Sequence, residues 1–357
     1  MLKRVIILTL TLLCLAATAL AAQSGDFEYE LQEDKTVIIT RYTGTAEHLE
    51  VPAKIKKRAV TALAEKSFFD CDTLVTVRLP GTLTKIIDNP FYDCGRLTDI
   101  TVAPGDGAFQ SVFGILYNKE TAALICYPAG RQEKSCAVAQ GTRIITDHAF
   151  YDCRALETLC LPDTLLAIGQ SAFVNCDGFT RLTLPEGLQQ LGELAFANCG
   201  GLTRVDLPDS LTRMGYNPFY NCGSLTQVNV SDDHPLLTTS KGVLYNRQNM
   251  SLVCYPAGLE TEEYKVLNNV KIIGTGAFGG SRHLKSVILP DSVTAIYGSA
   301  FQNCSSLESV ALPDGLEKIS AGAFKNCEAL TRVVIPGQTQ VNDGAFEGCP
   351  NVVIERK

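Results

Sequence analysis

Histidine is scarce in this 357-residue chain. Its four copies, His48, His148, His234 and His283, are scattered without metal-ligand spacing, so no metal is expected. No glycine-rich phosphate loop, nucleophile elbow or paired-carboxylate signature occurs, so neither a catalytic residue nor a cofactor is expected. Ser231-Asp232-Asp233 is an acidic turn too small for a calcium loop. Positive charge is also short. The 31 Lys and Arg face 38 Asp and Glu, a formal net charge of −7, which argues against nucleic acid and anionic membrane as partners. After the apolar run from Val5 to Leu15 there is no second run of spanning length.

That first run follows Lys3 and Arg4 and precedes Ala19-Leu20-Ala21, the pattern of a secretory signal peptide spanning residues 1–21 and cleaved after Ala21. Its apolar part is too short for a stable membrane span. Cys14 lacks the small preceding residue of a lipid-attachment site, since Thr11-Leu12-Leu13 stand before it. Loss of Lys3 and Arg4 takes the formal charge from −7 to −9. No sorting tail or anchor is read after the last repeat. The expectation is an exported, soluble monomer, secreted or held at the cell surface, with no membrane insertion after cleavage.

What the chain has in abundance is self-similarity. Ala149-Phe150-Tyr151-Asp152-Cys153 is followed at intervals of 23 residues by Ala172-Phe173-Val174-Asn175-Cys176, Ala195-Phe196-Ala197-Asn198-Cys199 and Pro218-Phe219-Tyr220-Asn221-Cys222. Apolar residues recur three, six and eight positions after each Cys, and Leu-Pro recurs at Leu161-Pro162, Leu184-Pro185 and Leu207-Pro208. A fixed period of this length marks a solenoid whose coils bury their apolar side against their neighbours. Proline cannot donate to a ladder, so Leu-Pro ends one strand. Ile168-Gly169, Leu191-Gly192 and Met214-Gly215 end a second. Ala-Phe-x-x-Cys is then expected to make a single helical turn, its Phe plugging the space between coils.

The period breaks twice. Cys94 to Cys153 and Cys222 to Ser281 each span 59 residues, and the two gaps match at an offset of 128: Gly114-Ile115-Leu116-Tyr117-Asn118 with Gly242-Val243-Leu244-Tyr245-Asn246, and Cys126-Tyr127-Pro128 with Cys254-Tyr255-Pro256. Each gap reads as a hairpin insert of two strands, near residues 107–140 and 235–268, within a duplicated block. Residues 22–59 carry no 23-residue register; Phe27, Tyr29 and Leu31, then Val37, Ile39 and Arg41, alternate as strands of an N-terminal β cap. The solenoid is assigned to residues 60–357.

Export usually invites disulfides. Nine cysteines, however, share one repeat position: Cys71, Cys94, Cys153, Cys176, Cys199, Cys222, Cys304, Cys327 and Cys349. Equivalent residues in stacked coils lie about 4.8 Å apart and point the same way, which presents poor bond torsions. An inward ladder of free thiols is expected. Cys136 aligns with inward Leu159, so it is not expected to bond outward Cys160.

The row Leu-Pro-x-x-Leu-x-x-Ile-Gly-x-x-Ala-Phe-x-x-Cys-x-x-Leu-x-x-Leu-x-Leu, carried by Leu161 to Leu184, resembles the BspA-like, or Treponema-type, leucine-rich repeat family. The resemblance covers nearly all of the chain after the signal segment. It implies a β-rich (α/β-type repeat), right-handed leucine-rich-repeat solenoid with short strands and single helical turns per coil. It also implies an exported bacterial surface protein of non-enzymatic, adhesive kind, whose partner is a host matrix protein or another bacterial surface protein. The family's anchor or partner domain is not seen here.

Residues five and seven after the ladder position must face outward, because side chains alternate along a strand. Two features of that column are candidate protein-binding sites. Arg181, Arg204, Asp206, Gln227 and Asn229 form a polar patch, and Ile288, Ala311 and Val334 an apolar row. The alternative is a merely solvated face with β-branched residues suited to strands. Tyr117, Tyr127, Tyr245 and Tyr255 on the inserts are secondary candidates, for stacking on a sugar or peptide at a carbohydrate-binding or hydrolytic site, against simple packing. A passive spacer of the envelope is the remaining reading.

Overall fold

The computed structural model describes residues 22–357, and the signal-peptide reading of residues 1–21 lies outside them. The chain winds as a β solenoid of about 14 turns, with no helix among the described residues. Each regular coil contributes two short strands. The first, such as Arg181–Thr183, Arg204–Asp206 and Gln227–Asn229, pairs in parallel with its equivalent one coil on, Arg181 opposite Arg204 and Arg204 opposite Gln227. The second strands, such as Ala167–Ile168 and Gln190–Leu191, do the same. Gly169 and Gly192 end them because a Cβ at Gly192 would stand 2.3 Å from the Gly169 backbone. On the first-strand side the parallel ladder begins at His48–Glu50, opposite Thr76–Arg78, ahead of the 23-residue register that opens at Val60.

The third side is not the expected helical turn. Its amides alternate between the coil's own turn and the next coil. Tyr151 N–H and Cys153 N–H bond to His148 and Phe150 carbonyls, while Phe150 N–H reaches Ala172 O at 2.7 Å and Asp152 N–H reaches Val174 O at 2.9 Å. A helix would need every amide for itself. It would also need right-handed φ throughout, yet the residue before each ladder cysteine is left-handed: Asp70, Asp93, Asp152, Asn175, Asn198, Asn221, Asn303 and Asn326, with φ from 56° to 63°, and Gly348 at 74°. Asn and Asp tolerate that region best among residues with a Cβ. Their amides form a ladder of their own, Asn198 to Asn175 at 3.0 Å and Asn221 to Asn198 at 2.8 Å.

Inside, the phenyl rings stack coil on coil. Phe150–Phe173 and Phe173–Phe196 have centroids 4.7 and 4.8 Å apart, and Phe278–Phe301 and Phe301–Phe324 repeat this at 4.7 and 5.0 Å. All of the ladder cysteines are free, and all are buried except half-buried Cys349. They are hydrogen-bond donors as well as apolar filler: the Cys176, Cys199, Cys222 and Cys304 thiols each donate to the carbonyl of the phenylalanine 26 residues earlier, at 3.0 to 3.1 Å. Cys136 lies opposite Leu159, and Ala137 opposite Cys160, as the register required.

In each inserted segment three strands, not two, run antiparallel. Phe109–Val112, Ile115–Asn118 and Ala123–Cys126 form one meander, and Leu237–Ser240, Val243–Asn246 and Ser251–Cys254 form the other. The third strand of each then starts the parallel ladder of the following coils. Asn89 and Asn217 splice the segments in. Their Nδ2 groups donate to His148 O and Gly276 O, 59 residues ahead, and their Oδ1 atoms accept from Phe91 and Phe219 N–H. Tyr127 and Tyr255 then restart the ring stack, each 5.0 Å from the next phenylalanine.

Two outcomes follow from this packing. A disulfide reagent should count one fast thiol in native protein, Cys160, and thirteen in guanidinium for the chain from residue 22; many fast native thiols, or a deficit on unfolding, would contradict the buried ladder. Phe196→Ala should cost about 3–5 kcal/mol by denaturant melt, because its ring is fully buried between two others.

Candidate functional site

Strand alternation sorts the outward column as expected. Leu182, Val205, Val228, Val287, Val310 and Val333 are buried, and the residues on either side of them face out. Parallel register brings the polar candidates together. Asp206 is their hub: Arg181 donates to its Oδ2 at 3.1 Å, Arg204 to its Oδ1 through Nε and Nη2 at 3.1 and 2.9 Å, and Asn229 to the same oxygen at 2.7 Å. Partial burial pushes the Asp206 carboxyl up, but the donors Arg204, Asn229 and Arg181 outweigh it and hold the group below its ordinary value. Gln227 stands exposed beside Arg204. The patch is therefore an ordered set of donors around one carboxylate, with one net positive charge.

Ile288 and Ala311 also meet, paired directly across adjacent strands and both exposed. Val334 is only half-buried, because the last strand, Val353–Arg356, sets Glu355 opposite it. Lys265 precedes the row in register and Glu355 follows it, so charge brackets the apolar stretch. The two candidate patches are not continuous: the ladder that ends at Gln227–Asn229 is separate from the one that begins at Glu263–Lys265.

The four secondary candidates need correction. Tyr117, Tyr127, Tyr245 and Tyr255 are all buried, so none offers a ring face to a ligand. Tyr127 and Tyr255 replace phenylalanine in the central stack. The Tyr117 hydroxyl accepts from Ala139 N–H, and the Tyr245 hydroxyl bonds that of Tyr264. A tyrosine in an alternating strand is amphipathic, and here the polar end found a partner inside. The exposed tyrosines near the second insert are others, Tyr216 and Tyr297, which the repeat pattern did not single out.

Three of the four histidines have side-chain partners within the fold. His234 is buried, and its Nδ1 accepts from Leu236 and Leu237 N–H; burial lowers its proton affinity. His148 pairs with Asp88 at 3.0 Å, and His48 bonds the Thr76 hydroxyl. Among the described residues no three His, Cys, Asp or Glu side chains converge as a metal site.

Set beside known proteins, the chain matches a family model described as the BspA type leucine rich repeat region, in six copies over residues 46–112, 143–263 and 250–354. It is similar to a leucine-rich cell surface protein from Faecalibacterium prausnitzii A2-165, with 24% identity and a TM-score of 0.54 over 94% of both chains. It is also similar to the pneumococcal vaccine antigen PcpA, with 22% identity and a TM-score of 0.59 over 94% of this chain and 81% of that one. These two likenesses establish a shared fold. No curated protein matches.

Asp206 yields a pH test. Its proton affinity is lowered on folding, so its contribution is present above the ordinary carboxylate range and is lost as pH falls through the lowered folded value. Wild type should melt above Asp206→Asn at neutral pH by a small margin, as surface pairs contribute about 0–1 kcal/mol. The margin should vanish below the ordinary carboxylate range, and a margin that instead grew in acid would remove Asp206 as the hub.

Proposed function

The chain belongs to the BspA-type leucine-rich repeat family, and we propose that it is an exported, non-enzymatic scaffold that binds another protein through the outward side chains of its first-strand ladder. The observation that carries this reading is the order imposed on that face. Parallel register sets Arg181, Arg204 and Gln227 side by side, and Asp206 holds both guanidinium groups in place before any partner arrives. A surface already ordered loses little side-chain entropy on binding, which is where a rigid solenoid gains over a loop. Guanidinium groups suit carboxylates and backbone carbonyls of a partner. Ile288 and Ala311 add an apolar contact farther along, bracketed by Lys265 and Glu355, the arrangement of an apolar centre inside a charged rim.

Export fits the basic, apolar and small-residue order of residues 1–21. The ligand class is a protein of the host matrix or of a neighbouring bacterial surface, engaged by a monomer.

The test is surface plasmon resonance of the chain from residue 22 against a panel of purified host matrix proteins and bacterial surface proteins. Arg204→Glu and Ile288→Asp should each weaken the bound partner about tenfold or more, the loss of roughly 1.4 kcal/mol or above expected for a contact near the centre of an interface. Melting temperatures should fall only slightly, because Ile288 is exposed and the Arg204–Asp206 contact that is lost is a surface pair contributing about 0–1 kcal/mol. Binding that survives both substitutions would move the site to another face.

A further inference from the structure

A cleft of about 320 Å³ opens where the second meander joins the coils before it, at the break in the second-strand ladder. One ladder ends at Arg213–Met214, and the next begins with the meander and passes through Ser251–Cys254 to Ile272–Ile273. Glu193, Tyr216, Asn246, Asn249, Ser251 and Tyr297 supply its polar and aromatic lining, and Met214, Val253 and Ile272 add apolar surface. The volume lies at the lower end of the range for small-molecule sites.

The chemistry of the lining is specific. Tyr216 and Tyr297 are 55% and 36% exposed, whereas the rings of the central stack are buried. Asn246 Oδ1 is occupied by Gln248 and Asn249 N–H, and Asn249 Oδ1 by Ser251 N–H. Both amides are thus oriented by the backbone, with their Nδ2 donors unused among the described residues. The Glu193 carboxylate has no ion-pair partner among them either. No Lys or Arg lines the cleft, which disfavours phosphate and carboxylate ligands.

The first insert provides an internal comparison. At the offset of 128, Tyr216 corresponds to Asp88 and Tyr297 to Gly169, while Glu193 corresponds to Glu65 and Asn246 to Asn118. At that first junction Asp88 is held by His148, and Glu65 by Lys66. The copies share their backbone plan, yet only the second carries two exposed tyrosines and an unpaired carboxylate.

We propose that this cleft binds a neutral saccharide. The tyrosine rings offer flat apolar faces to the C–H side of a pyranose. Glu193 accepts from its hydroxyls, and the Asn246 and Asn249 amides donate to its oxygens. The cleft holds one carboxylate, so the role is binding and no hydrolysis is assigned. This site is independent of the first-strand ladder, and each can fail without the other.

The experiment is isothermal titration of the chain from residue 22 with chitotetraose, cellotetraose, maltotetraose and mannotetraose, and with tetralysine. At least one tetrasaccharide should bind with a Kd of about 1 mM or tighter. The double variant Tyr216→Asp, Tyr297→Gly installs the residues that the first block already accommodates, and it should weaken that binding about tenfold or more. Glu193→Gln, nearly isosteric, should also weaken it, and Arg204→Glu should leave it unchanged. The proposal is overturned if no tetrasaccharide binds at that level, if binding ignores both cleft variants, or if tetralysine binds in place of sugar.

Discussion

Neighbouring regular coils of this chain exchange backbone hydrogen bonds on up to three sides, and the spacing of that exchange governs what the side chains do. Parallel strands sit about 4.8 Å apart. Flat phenyl rings repeated at that interval come into offset-stacking range, and separations of 4.7 to 5.0 Å in most of the regular coils show it, with Phe196–Phe219 wider at 6.0 Å. Cysteine is small enough to fit beside each ring, and its thiol reaches the carbonyl of the preceding coil's phenylalanine. Asparagine at the left-handed position adds an amide rung on the turn side. One repeat distance thus selects three residue types at once. The cost of ordering so many residues is offset coil by coil rather than through one large core.

The same constraint explains how the inserts are tolerated. Each meander interrupts the second-strand ladder, and on the turn side a side chain spans the break: Asn89 and Asn217 bond carbonyls 59 residues away. The ring stack restarts with tyrosine, and the ladder cysteine restarts at Cys153 in one copy and is replaced by Ser281 in the other. Ser281 turns its hydroxyl to Phe278 O in its own coil. A stack tolerates such exceptions because each coil depends only on its immediate neighbours. The price is a seam, and at the second seam the chain leaves a cleft open to solvent.

Function belongs to what the repeat leaves over. Positions that the stack requires are leucine, phenylalanine, cysteine and asparagine, and they are buried or paired along the axis. Positions that it does not constrain carry the variation: Arg181, Arg204 and Gln227 on one ladder, Ile288 and Ala311 farther on, Tyr216 and Tyr297 at the seam. A rigid frame with variable outward residues is suited to recognition, because it presents groups in fixed positions without ordering cost.

Much of this was legible from residue order alone. Period, inward thiols, the outward column and the duplication of 128 residues all follow from spacing, because a stacked coil repeats both its chemistry and its direction. Residue order also misled in places. Ala-Phe-x-x-Cys looks like a helical turn locally, but its amides are claimed by the adjacent coil, a partner that lies 20 or more residues away and that no local propensity reports. Tyr117, Tyr127, Tyr245 and Tyr255 read equally well as surface or core, and only the packed inserts buried them. Asp206 as a shared acceptor for donors from three coils, and the cleft between Tyr216 and Tyr297, exist only when distant segments meet. Composition and spacing determine which residues face in and which face out; the tertiary structure alone decides which outward residues become neighbours.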